Sequence, residues 1–229
     1  MRAQGWMPML DFAAARRAMV DSQVRTSDVT DPRIIAAMQE VPRERFLPAQ
    51  NADLAYLDFD APVTAPGKPV RRLLKPMVLA RLIQAAEIAG GDHVLDVGCA
   101  TGYSSAILAR LAHTVVALEE DAGLAAFARD NLRALHLHHV HIESAPLAEG
   151  FPRGGPYDAI ILNGAAEVAP EALLGQLKPG GRLACILRRG PAGKAMIYRS
   201  IGGECSGRPV FDAAAQVLPG FAAPTVFVF

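Results

Sequence analysis

The fold is decided by the stretch His93-Val94-Leu95-Asp96-Val97-Gly98-Cys99-Ala100-Thr101-Gly102-Tyr103. Its first five residues form a short apolar run, which is typical of a buried strand. The small residues that follow predict a tight loop leading into a helix at 104–111. Such a loop lets the backbone approach a nucleotide-like ligand closely. We therefore expect a cofactor site at this turn.

Strand and helix patterns alternate on both sides of this stretch. We predict strands at 93–97, 114–118, 140–143, 157–162, 182–187 and 224–229. We predict helices at 12–24 with Asp11 as cap, from Asp31-Pro32, from Pro76, at 122–135, and at 171–177 before a turn at 178–181. This order predicts an α/β fold: a doubly wound, mostly parallel sheet with an antiparallel C-terminal strand and an N-terminal helical extension. Residues 1–75 would supply N-terminal helices and a substrate-side loop, and 76–229 the cofactor-binding α/β domain, together one compact unit.

Composition argues against several classes of protein. The 229 residues carry 23 basic and 23 acidic side chains, so no net charge favours nucleic acid or an anionic membrane. No apolar run approaches the ~20 residues of a membrane span. Three cysteines without paired spacing predict a reduced, cytoplasmic protein. Four histidines within 136–141 are interpreted as a polar strand edge, and no metal site is expected.

The choice of cofactor depends on Glu119 and on the glycines of the loop. Glu119 ends the strand after the loop, where an acid can accept hydrogen bonds from both ribose hydroxyls. The dinucleotide fingerprint needs a third glycine, but Tyr103 stands there. Asp96 would repel a pyrophosphate and can favour a sulfonium group. The pattern therefore favours S-adenosylmethionine over NAD; the alternative is a plain tight turn.

Several further segments carry a resemblance to a known family. They are Met19-Val20-Asp21-Ser22-Gln23-Val24-Arg25, Asp31-Pro32-Arg33-Ile34, Val41-Pro42-Arg43-Glu44-Arg45-Phe46-Leu47-Pro48, Leu54-Ala55-Tyr56-Leu57-Asp58, Pro156-Tyr157-Asp158-Ala159-Ile160-Ile161 and Gln176-Leu177-Lys178-Pro179-Gly180-Gly181-Arg182-Leu183. With the cofactor loop, they resemble the protein-L-isoaspartate O-methyltransferase family over roughly residues 19–190. The resemblance implies a Rossmann-like class I methyltransferase fold. It also implies methyl transfer to the free carboxylate of isoaspartyl residues in peptides or proteins, as a step of protein repair.

The sequence departs from the family's pattern on the acceptor side. Leu74 stands where the family has its active-site serine, and Asn163 where it has Thr or Gly after the fourth strand. The family's Gly-Asp-Gly near the adenine aligns with Ala145-Pro146-Leu147. The residues expected to contact the cofactor are Asp96, Gly98, Cys99, Ala100, Gly102, Tyr103, Glu119, Glu120, Ala145 and Asn163.

The catalytic residue is left unassigned, with Arg72, Lys75 and Asn163 as candidates. A carboxylate is ionised at neutral pH, so its methylation needs alignment and dry surroundings rather than a general base. Arg71, Arg72 and Lys75 can hold an anionic acceptor, or they belong to a solvated loop. Three functions stay open: isoaspartyl methylation, methylation of a small anionic acceptor, and cofactor binding without catalysis. The oligomeric state also stays open.

Overall fold

The computed structural model describes residues 11–64, 67, 69–190 and 192–224. The α-helices are α1 (Phe12–Met19), α2 (Pro32–Glu40), α3 (Pro76–Ala85), α4 (Tyr103–Leu108), α5 (Ala122–Ala134) and α6 (Glu171–Leu174). The strands are β1 (Ala61–Pro62), β2 (Arg72–Leu73), β3 (His93–Val97), β4 (Thr114–Leu118), β5 (Val140–Glu143), β6 (Tyr157–Ala166), β7 (Leu177–Arg189), β8 (Ala192–Ile201) and β9 (Glu204–Asp212). Short 3-10 turns lie at Arg25–Ser27, Arg43–Phe46, Ala49–Leu54, Leu147–Glu149 and Pro152–Gly154.

The large sheet has the strand order β5-β4-β3-β6-β7-β8-β9. Its first five strands run parallel, and β8 and β9 run antiparallel. β3 and β6 are buried over most of their length, as apolar strands covered on both faces are. The winding reverses between β3 and β6, so the carboxyl ends of these strands border a crevice. The predicted class I methyltransferase fold is confirmed, and the loop after β3 lies at this crevice.

The N-terminal helices begin at the predicted cap residues. The Asp11 side chain accepts a hydrogen bond from Ala14 N at 3.0 Å, and Asp31 accepts one from Arg33 N at 2.9 Å. The predicted helix at 12–24 is α-helical to Met19 and continues as a π-helix over Val20–Val24. Helical geometry therefore continues to the predicted end, with a change of pitch that the apolar pattern does not show.

The hydrophobic core has two clusters, one on each face of the sheet. The first joins side chains of the N-terminal extension, such as Met19 and Phe46, to α3 and α4. The second joins β3, β6 and β7 to Leu147, Leu218 and Phe221. The N-terminal extension thus packs on one face and the last described residues on the other. The predicted division at residue 75 stays a prediction.

A separate two-stranded ribbon lies between the N-terminal extension and α3. β1 and β2 pair antiparallel, with Ala61 opposite Leu73. The pairing continues through Val63 N, which donates to Arg71 O at 2.9 Å, and Arg71 N donates to Thr64 Oγ1 at 3.1 Å. The ribbon lies in the segment predicted as a substrate-side loop, and it delivers Arg71 to the crevice.

Some predicted boundaries were wrong. The helix predicted at 171–177 ends at Leu174, and the predicted stop at 178–181 lies inside β7, with Gly180 at φ +80°. β6 continues four residues past its predicted end, so Asn163, which was expected after this strand, lies within it. Among the described residues, the antiparallel part contains β8 and β9, for which no strand was predicted. The predicted terminal strand at 224–229 falls outside the described residues apart from Pro224, which is in no strand.

Candidate active site

The loop between β3 and α4 has a tight, left-handed backbone. Gly98, Ala100 and Gly102 have φ values of +73°, +51° and +94°. Gly98 N and Cys99 N both donate to Leu118 O, at 2.9 and 3.2 Å, which ties the loop to the end of β4. Glycine adopts positive φ without strain, whereas the backbone of Ala100 is strained at this φ. Such strain persists only where surrounding contacts hold the backbone in place.

Asp96 is fully buried at the end of β3. Its Oδ2 accepts hydrogen bonds from Ser104 Oγ at 2.8 Å and from Ser105 Oγ at 2.5 Å, and its Oδ1 accepts one from Asn163 Nδ2. Burial raises the pKa of Asp96 to about 6, although these three donors act in the opposite direction. The carboxyl is therefore mostly ionised at neutral pH, and it joins β3, α4 and β6 at the floor of the crevice.

Glu119, predicted to bind a ribose, forms a buried ion pair with Arg71. Arg71 Nη1 and Nη2 lie 2.7 Å from Glu119 Oε1 and Oε2, respectively. The exposed fractions of the two side chains are 6% and 0%. Ala100 N also donates to Oε2 at 2.8 Å, and Asp121 N to Oε1 at 3.1 Å. Each carboxylate oxygen thus accepts two hydrogen bonds from the protein itself.

The other residues predicted at the cofactor differ in their surroundings. Burial raises the pKa of the Cys99 thiol well above its usual value, so the thiol is neutral and a poor nucleophile. Tyr103 is fully buried, and the Arg43 guanidinium lies 4.7 Å from its ring centre. Glu120 is exposed and accepts a long, 3.4 Å hydrogen bond from a backbone amide after β5. Ala145 is half-buried against the second core cluster.

The acceptor side does not gather the three predicted cations in one place. Arg71 is paired with Glu119, whereas Arg72 is exposed and donates from Nη1 to Asp60 O at 3.1 Å. Leu74, at the family's serine position, is buried. Lys75 precedes α3, and its backbone N donates to Asp60 Oδ1 at 2.8 Å. The use of these cations to hold an acceptor stays a prediction.

Two cavities border these residues. A small one of about 10 Å³ is lined by Arg72, Leu73, Leu74, Leu79, Gly98, Cys99, Tyr103, Ser104 and Asn163. A larger groove of about 870 Å³ begins at Lys75 and Met77 and continues along Leu187, Lys194 and Asp212. The large groove has the size of a small-molecule site, whereas the small cavity has room for about one water.

The residues fit the predicted cofactor in chemistry but not in space. Glu119 lies at the strand end where a ribose is bound, and Asp96 supplies negative charge behind the loop. A Cβ built on Gly98 would lie 2.8 Å from Leu218 Cδ1 and 3.4 Å from Arg71 Nη2. The approach to the loop is therefore filled by two side chains of the chain itself in this conformation.

Sequence reasoning missed several residues of this site. Ser104 and Ser105 follow the glycine loop after Tyr103. Two adjacent hydroxyls in the first turn of a helix behind an acidic strand end are a usable signal. No local pattern connects Arg71 with Glu119, which are 48 positions apart. Leu218 belongs to a segment that the sequence did not place at the site.

The described ranges contain neither a metal-type cluster of side chains nor a helix able to cross a membrane. Within them, no three or more His, Cys, Asp or Glu side chains are grouped as a metal would require. His139 Nε2 instead lies 2.7 Å from Ala109 O. In the same part of the chain, every helix is too short or too polar to cross a bilayer.

Comparison with known proteins gives a consistent family. The family described as Protein-L-isoaspartate(D-aspartate) O-methyltransferase matches residues 14–200. "Protein-L-isoaspartate O-methyltransferase 1" of Rhodopseudomonas palustris (strain HaA2) is 39% identical over 172 residues, covering 75% of this chain and 69% of the relative. "Protein-L-isoaspartate O-methyltransferase" of Methylorubrum extorquens (strain PA1) is 38% identical over 192 residues, covering 84% and 81%.

Solved structures with the same description share the fold. A protein-L-isoaspartate O-methyltransferase superposes with a TM-score of 0.77 at 23% identity, covering 89% of this chain and 66% of that one. A putative protein-L-isoaspartate O-methyltransferase from Plasmodium falciparum, solved in complex with S-adenosyl-L-homocysteine, gives a TM-score of 0.73 at 18% identity, covering 89% and 97%.

Proposed function

The chain belongs to the protein-L-isoaspartate(D-aspartate) O-methyltransferase family, and from this premise we propose that it transfers a methyl group from S-adenosylmethionine to a carboxylate of an isoaspartyl-containing peptide or protein. The observation that carries the proposal is the arrangement of two acids around one loop. Asp96 lies behind the loop, and Glu119 bonds to Ala100 N within it. This pairing at the switch point of a doubly wound sheet suits a nucleoside with a cationic tail.

S-adenosylmethionine supplies an electrophilic methyl group on a sulfonium. The residues of this chain have three tasks around that group. With the Arg71 guanidinium moved away, Glu119 would accept the ribose hydroxyls. Asp96 provides a negative field behind the loop, and Leu74 and Leu79 line the small cavity with apolar side chains. When bound, this group would offer its methyl carbon to an acceptor carboxylate oxygen, with S-adenosylhomocysteine as the leaving group. The residues of this chain would then align the carboxylate without moving a proton.

The compartment and partners proposed for the chain follow from the same reasoning. Its three cysteines form no bond with one another. This supports a reducing, cytoplasmic setting. The acceptor is a peptide or protein, and no nucleic acid is needed.

The cofactor is tested by ligand-dependent stabilisation. S-adenosylhomocysteine should raise the Tm in proportion to the logarithm of its concentration, by mass action. NAD should give no shift at the same concentrations, because Tyr103 stands where its third glycine is needed. Equal stabilisation by NAD would contradict the assignment of the cofactor.

Acceptor specificity is tested at Leu74. Its buried side chain lines the small cavity and offers no hydrogen bond to an acceptor carboxylate. We expect slow methylation of an isoaspartyl peptide by the unmodified chain and faster methylation by Leu74→Ser. Lys75→Met should raise the KM for the peptide, because this cation borders the adjoining groove. Lys178→Met, whose ion pair with Asp158 lies elsewhere, is the matched control.

Rapid turnover that is insensitive to Leu74→Ser and Lys75→Met would contradict this view of the acceptor site. A second candidate function, methylation of a small anionic acceptor, is favoured by one observation. The groove of about 870 Å³ beginning at Lys75 also contains Arg189, while its Lys194 is paired with Asp212 at 2.7 Å. This second function would be supported if small carboxylates, but not isoaspartyl peptides, were methylated.

A further inference from the structure

Glu119 has no acceptor capacity left for a ligand in this structure. Its two oxygens receive four hydrogen bonds, two from Arg71 and two from the backbone. A carboxylate offers about four lone-pair sites, so this one is saturated. A ribose that binds Glu119 through its hydroxyls must therefore displace the Arg71 guanidinium.

Arg71 itself is incompletely satisfied in this position. Its Nε is buried and has no hydrogen-bond partner among the described residues. A buried donor without a partner carries a desolvation penalty. The position of Arg71 over Glu119 is thus stabilised by charge-assisted hydrogen bonds from Nη1 and Nη2 and destabilised by the unpaired Nε.

Leu218 lies over the same loop. A Cβ built on Gly164 would lie 2.6 Å from Leu218 Cγ, and one built on Gly98 would lie 2.8 Å from Leu218 Cδ1. Leu218 N donates to Ala165 O at 2.9 Å, and Ala165 N donates to Gln216 O at 2.8 Å. The C-terminal segment is therefore fastened to β6 with Leu218 over the two glycines.

The Arg71 ribbon and the Leu218 segment are joined to each other. Gln216 Nε2 donates a hydrogen bond to the backbone oxygen of Val70, the residue before Arg71. The cavity that borders Gly98 and Cys99 of the loop is only about 10 Å³. The two elements thus form one connected cover over the loop, which we call the Arg71–Leu218 cover.

We propose that the Arg71–Leu218 cover closes the cofactor site, and that Arg71 sets the cofactor affinity of this chain by competing with the ribose for Glu119. This inference rests on the proposed function, since it assumes that the site takes an adenosine cofactor. When only an open fraction of molecules can bind, the apparent affinity falls by that fraction. The same ribbon continues into Arg72, Leu74 and Lys75, so opening of the cofactor site shifts the acceptor side as well.

The proposal is tested by titrating S-adenosylhomocysteine calorimetrically into the unmodified chain and its variants. Arg71→Met should bind at least about tenfold more tightly, since the competing cation is gone. Arg25→Met, which breaks an exposed Arg–carboxylate pair with Asp21, is the matched control and should leave the Kd unchanged. Arg71→Met should also lower the Tm of the ligand-free protein, because Glu119 loses its buried counter-ion.

Two further variants keep the test decisive. Leu218→Ala removes the other half of the cover without exposing a charge, and it should also tighten binding if Arg71→Met fails to fold. In the double variant Arg71→Met/Glu119→Gln, the gain in affinity for S-adenosylhomocysteine should disappear, because the charged ribose acceptor is lost. If Arg71→Met tightened binding only by loosening the fold, the double variant would keep the gain in affinity. That result would overturn the role given to Glu119.

The outcomes separate this inference from the proposed function. Tight binding by the unmodified chain, with no gain in affinity in Arg71→Met or Leu218→Ala, overturns the role proposed for the Arg71–Leu218 cover. It leaves the proposed function standing. Absence of binding by every variant at millimolar S-adenosylhomocysteine overturns both. Tighter binding by the two single variants, with the control unchanged, supports the cover.

Discussion

Replacing Asp96 by Asn should stabilise this protein at neutral pH. Asn has the shape of the protonated acid and carries no charge. Its oxygen can accept from Asn163 Nδ2, and the Ser104 and Ser105 hydroxyls can rotate to accept from its amide. The substitution therefore removes the buried charge and keeps the hydrogen-bonded arrangement.

The size of the expected stabilisation follows from the pKa of Asp96. Burial raises this pKa from 3.8 to about 6 in the folded protein. A shift of one pKa unit corresponds to about 1.4 kcal/mol, so ionised Asp96 destabilises the fold by about 3 kcal/mol. Below pH 3.8, the acid is protonated in both states and has no effect. As the pH rises from about 4 to 6, the folded state retains its proton longer, and the free energy of unfolding falls.

The assay is urea unfolding of the unmodified chain and Asp96→Asn at several pH values between 4 and 8. The stability difference should be close to zero at pH 4, grow to about 3 kcal/mol by pH 6–7, and stay constant above that. Circular dichroism of each protein before unfolding checks that the fold is kept.

Asp158→Asn is the matched control, because its pH dependence has the opposite sign. Burial opposes ionisation of Asp158, but Lys178 and the His93 N–H outweigh it and lower its pKa. This variant should be less stable than the unmodified chain at neutral pH, with a difference that shrinks below about pH 4. A pH-independent effect of Asp96→Asn, or a loss of stability at pH 7, would refute the reasoning about its burial.

Three further substitutions test the packing around the crevice, each by chemical denaturation. Arg43→Met should cost about 2–4 kcal/mol, since it leaves two buried carbonyls without donors and removes the cation over Tyr103; an unchanged midpoint would contradict this. Arg182→Met should cost about 3–5 kcal/mol, because it leaves the buried Asp92 unpaired, and adding Asp92→Asn should recover part of that loss. Gly193→Ala should lower the denaturation midpoint, because the new Cβ would overlap a backbone oxygen of the segment after β9; wild-type stability would mean that this segment moves aside easily.

Much of the fold follows from local sequence signals. Asp11 and Asp31 cap helices through bonds to amides only two or three residues away, so their role can be inferred from neighbouring positions. The apolar strands β3, β4 and β6 alternate with helices, which requires a parallel sheet covered on both faces. The hairpin of β8 and β9 gave a weaker signal, because β9 is exposed along nearly all its length and has no buried face to create an apolar alternation.

The candidate site divides in the same way. The sequence by itself determined the glycine loop, Asp96 and Glu119, because parallel strands bring their carboxyl ends to one edge and the residues there must meet. Only the tertiary structure decided that Arg71 forms an ion pair with Glu119 and that Leu218 lies over Gly98. Arg71 arrives from a ribbon outside the main sheet, and Leu218 from a segment fastened to β6. Contacts between such distant parts depend on how whole layers pack, and no periodicity along the chain encodes which side chain fills the space between them.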